Sequence, residues 1–376
     1  MLPKYDVAII GGGLAGLAAS IQLSTKGHSV ILFEKESYPF HKVCGEYISL
    51  ESWDFLASLG VPLDDLQLPI IDTLFLTAPN GRSFTTKLPL GGFGISRYLL
   101  DDTLAQIAIK SGVHLMQKTK VDDVVFNNGF TIHFQDNAIT ASACCSAHGK
   151  RSNLDVKWSR SFLQEKSHRL NNYVGIKYHV KTAWKENVIG LHNFKNGYCG
   201  ISKIEEDKYC LCYMTKAENL KVHSGNIEQM QEQVLFQNPH LKKIFTESEV
   251  LENFPVTISQ ISFSKKRKVE NGVLMLGDAA GMITPLCGNG MSIALHTSKI
   301  AASLTDAFLQ QRITRNELEN QYTLQWEKHF AARLKTGRII QTFFGSTSLS
   351  NFFVSSFKAF PFLAKPVIKQ THGQPF

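Results

Sequence analysis

The strongest constraint on this chain lies in its first thirty-five residues. Residues 5–10 are a short apolar run that reads as a buried parallel strand, and residues 29–33 are a second one ending at Glu34. Between them, residues 14–26 carry Leu17, Ala18, Ile21 and Leu23 at helical spacing, and Gly27 stops the helix. Gly11, Gly13 and Gly16 spell GxGxxG at the turn from strand to helix. The first glycine allows the tight turn, the second lets the backbone approach a pyrophosphate, and the third lets helix and strand pack closely. The phosphate then meets Leu14 and Ala15 at a helix N-terminus, where free N–H groups and the dipole favour negative charge. Glu34, followed by Lys35, stands 23 residues after Gly11, where a carboxylate can bind both hydroxyls of an adenosine ribose. A carboxylate there argues against a 2′-phosphate, hence against NADP in this site, but leaves NAD and FAD open.

Composition excludes several alternatives. Hydrophobic residues at 43% and charged residues at 19% do not suit a disordered tail, a collagen-like repeat or a coiled coil. No run of 18 apolar residues marks a spanning helix. The first apolar run, 7–10, follows Asp6 and stops at glycines, unlike an export signal. The seven cysteines form no CxxC pair, so neither a disulfide framework nor a zinc site is expected and a reducing cytoplasm is the default.

The 376 residues suggest two to three folding units. Residues 49–59 and 97–110 read as helices, 71–78 and 83–88 as a hairpin, and 113–119, 121–126, 131–134 and 138–145 as strands. From about 170 to 264 strand-like runs dominate, with one helix near 227–237, which resembles an inserted antiparallel sheet. Residues 273–276 return to a buried-strand pattern, and 289–309 and 314–342 read as helices. The expected class is α/β. Residues 1–70, 97–165 and 265–312 would form a discontinuous Rossmann-type dinucleotide domain, 71–96 and 166–264 a β-rich substrate domain, and 313–376 a C-terminal helical region.

Residues 273–291 read VLMLGDAAGMITPLCGNGM, a short strand delivering Gly277 and Asp278 before a second helix opens. Here the sequence resembles the p-hydroxybenzoate-hydroxylase superfamily of FAD enzymes, whose second fingerprint is Gly-Asp in the C-terminal third. The GDAAG and PLCGNGM runs are similar to its geranylgeranyl-reductase-like branch. The resemblance implies that FAD is the cofactor and that Asp278 binds a ribityl hydroxyl. It implies that the amides at Gly288, Asn289, Gly290 and Met291 face the flavin pyrimidine edge, where a helix N-terminus stabilises negative charge on a reduced flavin. It also implies that the segment around Cys44 and Gly45 passes the flavin, that Arg97 reaches the pyrophosphate, and that the backbone at Val121 meets the adenine.

One position departs from the family. The middle motif, normally Ala-Asp-Gly before a basic residue and Ser, reads Ala147-His148-Gly149-Lys150-Arg151-Ser152. An imidazole cannot accept hydrogen bonds as a carboxylate does, so NAD(P)H as reductant stands beside a protein electron donor or a reduced substrate. The halogenase signature Trp-x-Trp-x-Ile-Pro is absent. Cys287 and Cys44 read as small buried hydrophobes rather than redox thiols. His41, His179, His192 and His296 have no metal-ligand spacing, so no metal is expected. The basic run 265–268 reads as a solvated loop, and no nucleic-acid partner is expected.

Charge is uneven along the chain. From Ile261 onward there are 14 Lys/Arg against 6 Asp/Glu, which accounts for the whole net charge of +8. No acidic residue follows Glu327, while nine of the 25 phenylalanines do. Residues 349–363 have apolar residues near helical spacing, with Pro361 ending or bending the helix. This tail either packs back onto the catalytic domain or lies at an anionic membrane surface on the cytoplasmic side. The functional expectation is an FAD-dependent oxidoreductase on an apolar small molecule, isoprenoid or polyketide-like, either reducing a double bond or hydroxylating through reduced flavin. No acid–base side chain can be named, because in such enzymes the flavin performs the redox step. The alternative from another class is a non-catalytic flavin-binding electron-transfer partner at a membrane.

Overall fold

Parallel pairing of the buried strands puts the loops that follow them along one edge. In the computed structural model, β1 (Lys4–Ile10) leads through helix α1 (Leu14–Thr25) to β2 (Val30–Phe33). β1 pairs in parallel with β2 on one side and with strand Asn137–Ser146 on the other. Strand Val273–Met275 joins in parallel beyond Asn137–Ser146, and His114–Met116 beyond β2. Val30–Phe33 is buried throughout, as a parallel strand covered on both faces should be. Gly11, Glu34, Ala147 and Gly277 therefore emerge from the carboxyl ends of adjacent strands, where open α/β sheets bind ligands. The structure describes residues 2–163, 171–282, 289–344, 346–371 and 373–376.

The second sheet has nine strands among the described residues, and its pairing is antiparallel except where Val188–Phe194 meets Ile70–Thr77. Its two faces do different jobs. On strand Tyr209–Lys216, the side chains of Tyr209, Leu211 and Tyr213 join a core with Met230, Val234, Leu241 and Ile244 of the covering helices. The alternate residues Cys210, Cys212 and Met214 turn to the other side, as a period of two requires. Strand Gly197–Lys203 divides in the same way: Cys199 and Ile201 enter that core, while Tyr198, Gly200 and Ser202 take the other face.

Most expected elements fall within two residues of their observed bounds, and the differences are local. Residues 49–59 hold a 3-10 turn (Leu50–Ser52) before a short helix, Trp53–Ser58, because Tyr47–Ser49 is claimed by an edge strand. Helix Pro239–Glu247, capped by the Asn238 side chain, and strand Val256–Ser262 were not expected. Helix Gly290–Leu309 lies along α1, and Arg315–Phe344 follows it. The tail forms helix Thr347–Ala359, whose Val354 and Phe357 pack against Phe84 and Leu88 of the hairpin. Packing back and exposure coexist there, because Phe352, Phe360 and Phe362 remain 68%, 55% and 64% exposed.

Candidate functional site

A single cavity of about 1150 Å³ runs from the glycine loop to the open face of the antiparallel sheet. At its first end the backbone is packed too tightly for side chains. Gly11 has φ +97°, and a Cβ there would lie 2.5 Å from the Ala147 carbonyl oxygen. A Cβ at Gly16 would run into the carbonyl oxygen of Gly11, so Gly16 sets the approach of α1 to β1 rather than lining the cavity. Gly13, Leu14 and Ala15 do line it. At the end of β2 the Glu34 carboxylate accepts from the Gly12 N–H (2.8 Å) and the Glu36 N–H (3.1 Å), which turns it toward the loop. Lys35 beside it is exposed at the rim.

Two cations face the glycine loop. Ser96 caps helix Arg97–Lys110 by accepting from the Leu99 N–H, which places Arg97 at the first turn. Its guanidinium bonds both oxygens of Asp101 (2.7 and 2.8 Å), and Lys42 Nζ reaches the same carboxylate at 2.9 Å. A Cβ built on Gly13 would sit 3.7 Å from Arg97 Nη2 and 4.0 Å from Lys42 Nζ, so both charges stand over the turn. Burial pushes the Asp101 carboxyl up, but Arg97 and Lys42 outweigh it and hold the group ionised. One carboxylate against two cations leaves this corner positive, as an anionic ligand requires.

The middle of the cavity is crossed by the segment carrying Cys44 and Gly45, with Glu46 fully buried behind it. Glu46 accepts from Lys177 Nζ (2.6 Å), the Arg97 N–H (2.8 Å) and His179 Nε2 (2.5 Å). Burial pushes its carboxyl up, yet Lys177 and His179 outweigh that and bring it down to about 2. Glu46, His179 and Cys210 hold ligand-type atoms within 4.8 Å of one another, and the Glu46 carboxylate among them is already paired with the Lys177 ammonium. The far end is apolar, with Leu191, Tyr198, Met214, Ile258 and Ile261 on its wall and Gly200 leaving its floor open.

Comparison with known proteins gives this geometry a family. A profile described as "Squalene epoxidase" matches residues 160–369, more than half of the chain, and one described as "FAD binding domain" matches residues 6–41. The chain belongs to the squalene epoxidase family. It is an FAD-dependent oxidoreductase of the geranylgeranyl-reductase-like branch, and its cofactor is FAD. Among its relatives is a digeranylgeranylglycerophospholipid reductase of Methanococcus vannielii, 26% identical over 87% of this chain and 83% of that protein. Conditioned medium factor receptor 1 of Dictyostelium discoideum is 24% identical over 84% of this chain but only 66% of its own length, just under two thirds. The fold is shared with a flavin-dependent brominase (TM-score 0.78, 18% identity, 98% of this chain and 93% of that one). It is shared equally with a geranylgeranyl bacteriochlorophyll reductase-like protein from Thermoplasma acidophilum (TM-score 0.76, 18% identity, 98% and 100%).

The residues present suit FAD: a glycine cradle that any Cβ would fill, cations over it, and a carboxylate at the next strand end. Val121, Asp278, Gly290 and Met291 also line the cavity, so the structure gathers expected site residues from six separate stretches of sequence, 11–15, 34–35, 44–45, 97, 121 and 278–291. Asn289 is buried beneath the wall, and Gly288, like Cys287, lies outside the described residues. Lys42 and Asp101 join the site without a sequence signal of their own, although Lys42 stands two residues before Cys44. The expectation that the basic run 265–268 is a solvated loop is corrected. Lys266 is 5% exposed, with Nζ bonded to the carbonyls of Lys150 (3.0 Å) and Asp278 (2.9 Å). Lys266 and the half-buried Lys268 turn inward, where the turns after strands Asn137–Ser146 and Val273–Met275 offer carbonyls, while Lys265 and Arg267 stay exposed.

His148, the departure from the family, lines the cavity within a buried chain of partners. Its Nδ1 meets Ser146 Oγ at 2.7 Å and its Nε2 meets Asp155 Oδ1 at 3.1 Å. Burial lowers its pKa more than Asp155 raises it, which keeps the imidazole neutral. Asp155 also binds Arg160 at 2.8 Å, so a carboxylate stands one layer behind the position where the family has one.

Proposed function

We propose that this chain uses FAD to reduce a carbon–carbon double bond in an apolar, isoprenoid-like substrate. The observation that carries the reading is the continuity of one cavity between the glycine cradle and the apolar sheet face. The archaeal relative's name, a digeranylgeranylglycerophospholipid reductase, agrees with an isoprenoid occupant for that apolar end. In this reading Glu34 holds the adenosine ribose, the amides from Gly11 to Ala15 with Arg97 and Lys42 hold the pyrophosphate, and Asp278 holds the ribityl chain. Gly290 and Met291 open the helix that faces the pyrimidine edge, and Val121 meets the adenine. Bound FAD supplies the redox chemistry, giving a hydride equivalent to a double bond or activating dioxygen. The protein's own contribution is to exclude water: Leu191, Tyr198, Met214 and Ile258 surround the substrate end with apolar surface.

The family profile favours a second reading, oxygen insertion into the same class of substrate. Oxygen separates the two. The test is an anaerobic titration with NADH and NADPH followed by flavin absorbance, then incubation with a geranylgeranyl ether lipid before and after oxygen is admitted. A saturated product formed without oxygen supports the reductase. An oxygenated product formed only with oxygen replaces it by the second reading. Bound FAD that no donor turns over, with a protein that co-purifies, makes the chain an electron-transfer partner instead.

The tail is read as the substrate's route from a lipid surface. Among the described residues no helix is long and apolar enough to cross a membrane. Phe352, Phe360 and Phe362 are exposed beside Lys358 in a stretch without acids, which suits the interface of an anionic bilayer. Flotation with phosphatidylserine vesicles should carry the wild-type chain and leave the triple variant F352S/F360S/F362S behind. Equal flotation of the two overturns the membrane contact.

A further inference from the structure

The turn that carries Asp278 is held from outside the cavity by three cations. The carbonyl oxygens of residues 278, 279 and 280 are consecutive, and each accepts from a different basic side chain. Lys266 Nζ reaches that of Asp278 at 2.9 Å, Arg160 Nη1 and Nη2 both reach that of Ala279 at 3.1 Å, and Lys268 Nζ reaches that of Ala280 at 3.3 Å. Lys266 also bonds the Lys150 carbonyl, so one ammonium ties together the turns that follow strands Asn137–Ser146 and Val273–Met275.

The three charges are not equally compensated. Arg160 is matched by Asp155 at 2.8 Å and Glu270 at 3.3 Å. Lys268 lies 3.8 Å from the centre of the Trp326 ring and is half-buried. Lys266 is buried and makes no direct ion pair among the described residues; there its ammonium meets two carbonyls and the face of Phe162 (4.7 Å), while the Asp155 and Asp278 carboxylates act on it from farther off. A buried cation without a carboxylate is costly unless a negative charge completes it. Both residues whose carbonyls it holds, Lys150 and Asp278, line the cavity.

We propose that Lys266 is a positioning residue that favours negative charge on the bound flavin, acting through the two cavity turns it holds, with the half-buried Lys268 adding charge of the same sign. The inference rests on the placement of FAD proposed above. Reduction by two electrons and one proton leaves the flavin ring system one negative charge richer, and a fixed positive charge at the wall shifts that equilibrium toward the reduced form. Burial lowers the Lys266 pKa to about 8, against the pull of Asp155 and Asp278, which agrees with an ammonium still lacking its counter-charge.

The test equilibrates FAD-loaded enzyme anaerobically against a reference dye of known potential. Lys266→Met keeps the apolar stem over Phe162 and removes the charge. It should lower the equilibrium constant for two-electron reduction about tenfold, a drop of about 30 mV in midpoint potential. Lys266→Arg, which keeps the charge, should return the constant to within about threefold of wild type. A Lys266→Met enzyme that holds FAD at the wild-type potential overturns the proposal. Should that variant purify without flavin, Lys268→Met decides: about a threefold lower constant supports the proposal, and an unchanged one overturns it. A wild-type chain that takes up no FAD overturns the cavity reading itself, and this inference with it.

Discussion

The two ends of the cavity are built on opposite rules. At the cofactor end the backbone does the shaping: a Cβ at Gly11 or Gly16 would meet a main-chain carbonyl oxygen, and Gly13 opens onto the Arg97 and Lys42 cations. At the substrate end side chains do it, from one face of an antiparallel sheet, and a Cβ added at Gly200 would meet nothing closer than 3.7 Å. Gly11 and Gly16 leave no slack at the first end, whereas the sheet face has room at Gly200.

The largest expected effect is at the tight end. Gly16→Val drives a branched side chain into the Gly11 carbonyl, and overpacking of α1 against β1 should leave no folded, flavin-loaded protein, as judged by circular dichroism and flavin content. Near-normal flavin content in that variant would remove the contrast between the two ends.

At the seam between them, Glu46→Gln leaves the buried Lys177 ammonium without its counter-charge, at a cost of about 4 kcal/mol in denaturant unfolding. The pH dependence follows from the lowered carboxyl. The Glu46 contribution is complete above its ordinary 4.5 and is lost as pH falls toward about 2. Wild-type stability should therefore fall through that window more steeply than the variant's. Parallel curves would mean that the seam is not held by this charge.

Glu34→Ala removes the carboxylate from the end of β2 and leaves the Gly12 N–H without its partner. FAD affinity should fall about 100-fold, read from flavin fluorescence, with the fold retained. A change below about fivefold would take the ribose contact out of the site.

The smallest effect on stability belongs to the roomy end. Gly200→Leu should change unfolding free energy by less than about 1 kcal/mol and leave FAD bound, while closing the chamber to long apolar substrates. Unfolding of this variant would show that the substrate end is packed as tightly as the cofactor end.

The cofactor end was readable because its demands are local. The strand, the glycine spacing, the helix and Glu34 lie within one βαβ unit, and the distances among them are set by covalent chain length. Lys42 and Asp101 were missed because neither follows a spacing rule. They meet only because helix Arg97–Lys110 docks beside the segment that carries Lys42. The basic run at 265–268 was misjudged for the opposite reason. Four charges in a row suggest solvent, and nothing local announces that the turn after a later strand will offer two carbonyls to Lys266 and Lys268.

The sequence by itself determined the α/β class, the FAD-binding fingerprints, six of the nine described strands of the second sheet, and the family resemblance. These rest on periodicity and on glycines at fixed offsets, which are properties of a short stretch of chain. Tertiary structure alone decided which face of the antiparallel sheet the cavity occupies. Tyr209, Leu211 and Tyr213 alternate with Cys210, Cys212 and Met214, and both sets are apolar enough to be buried. With no polar face to break the symmetry, a period of two carries no direction. Only the helices packed on one side and the cofactor loops on the other assign it.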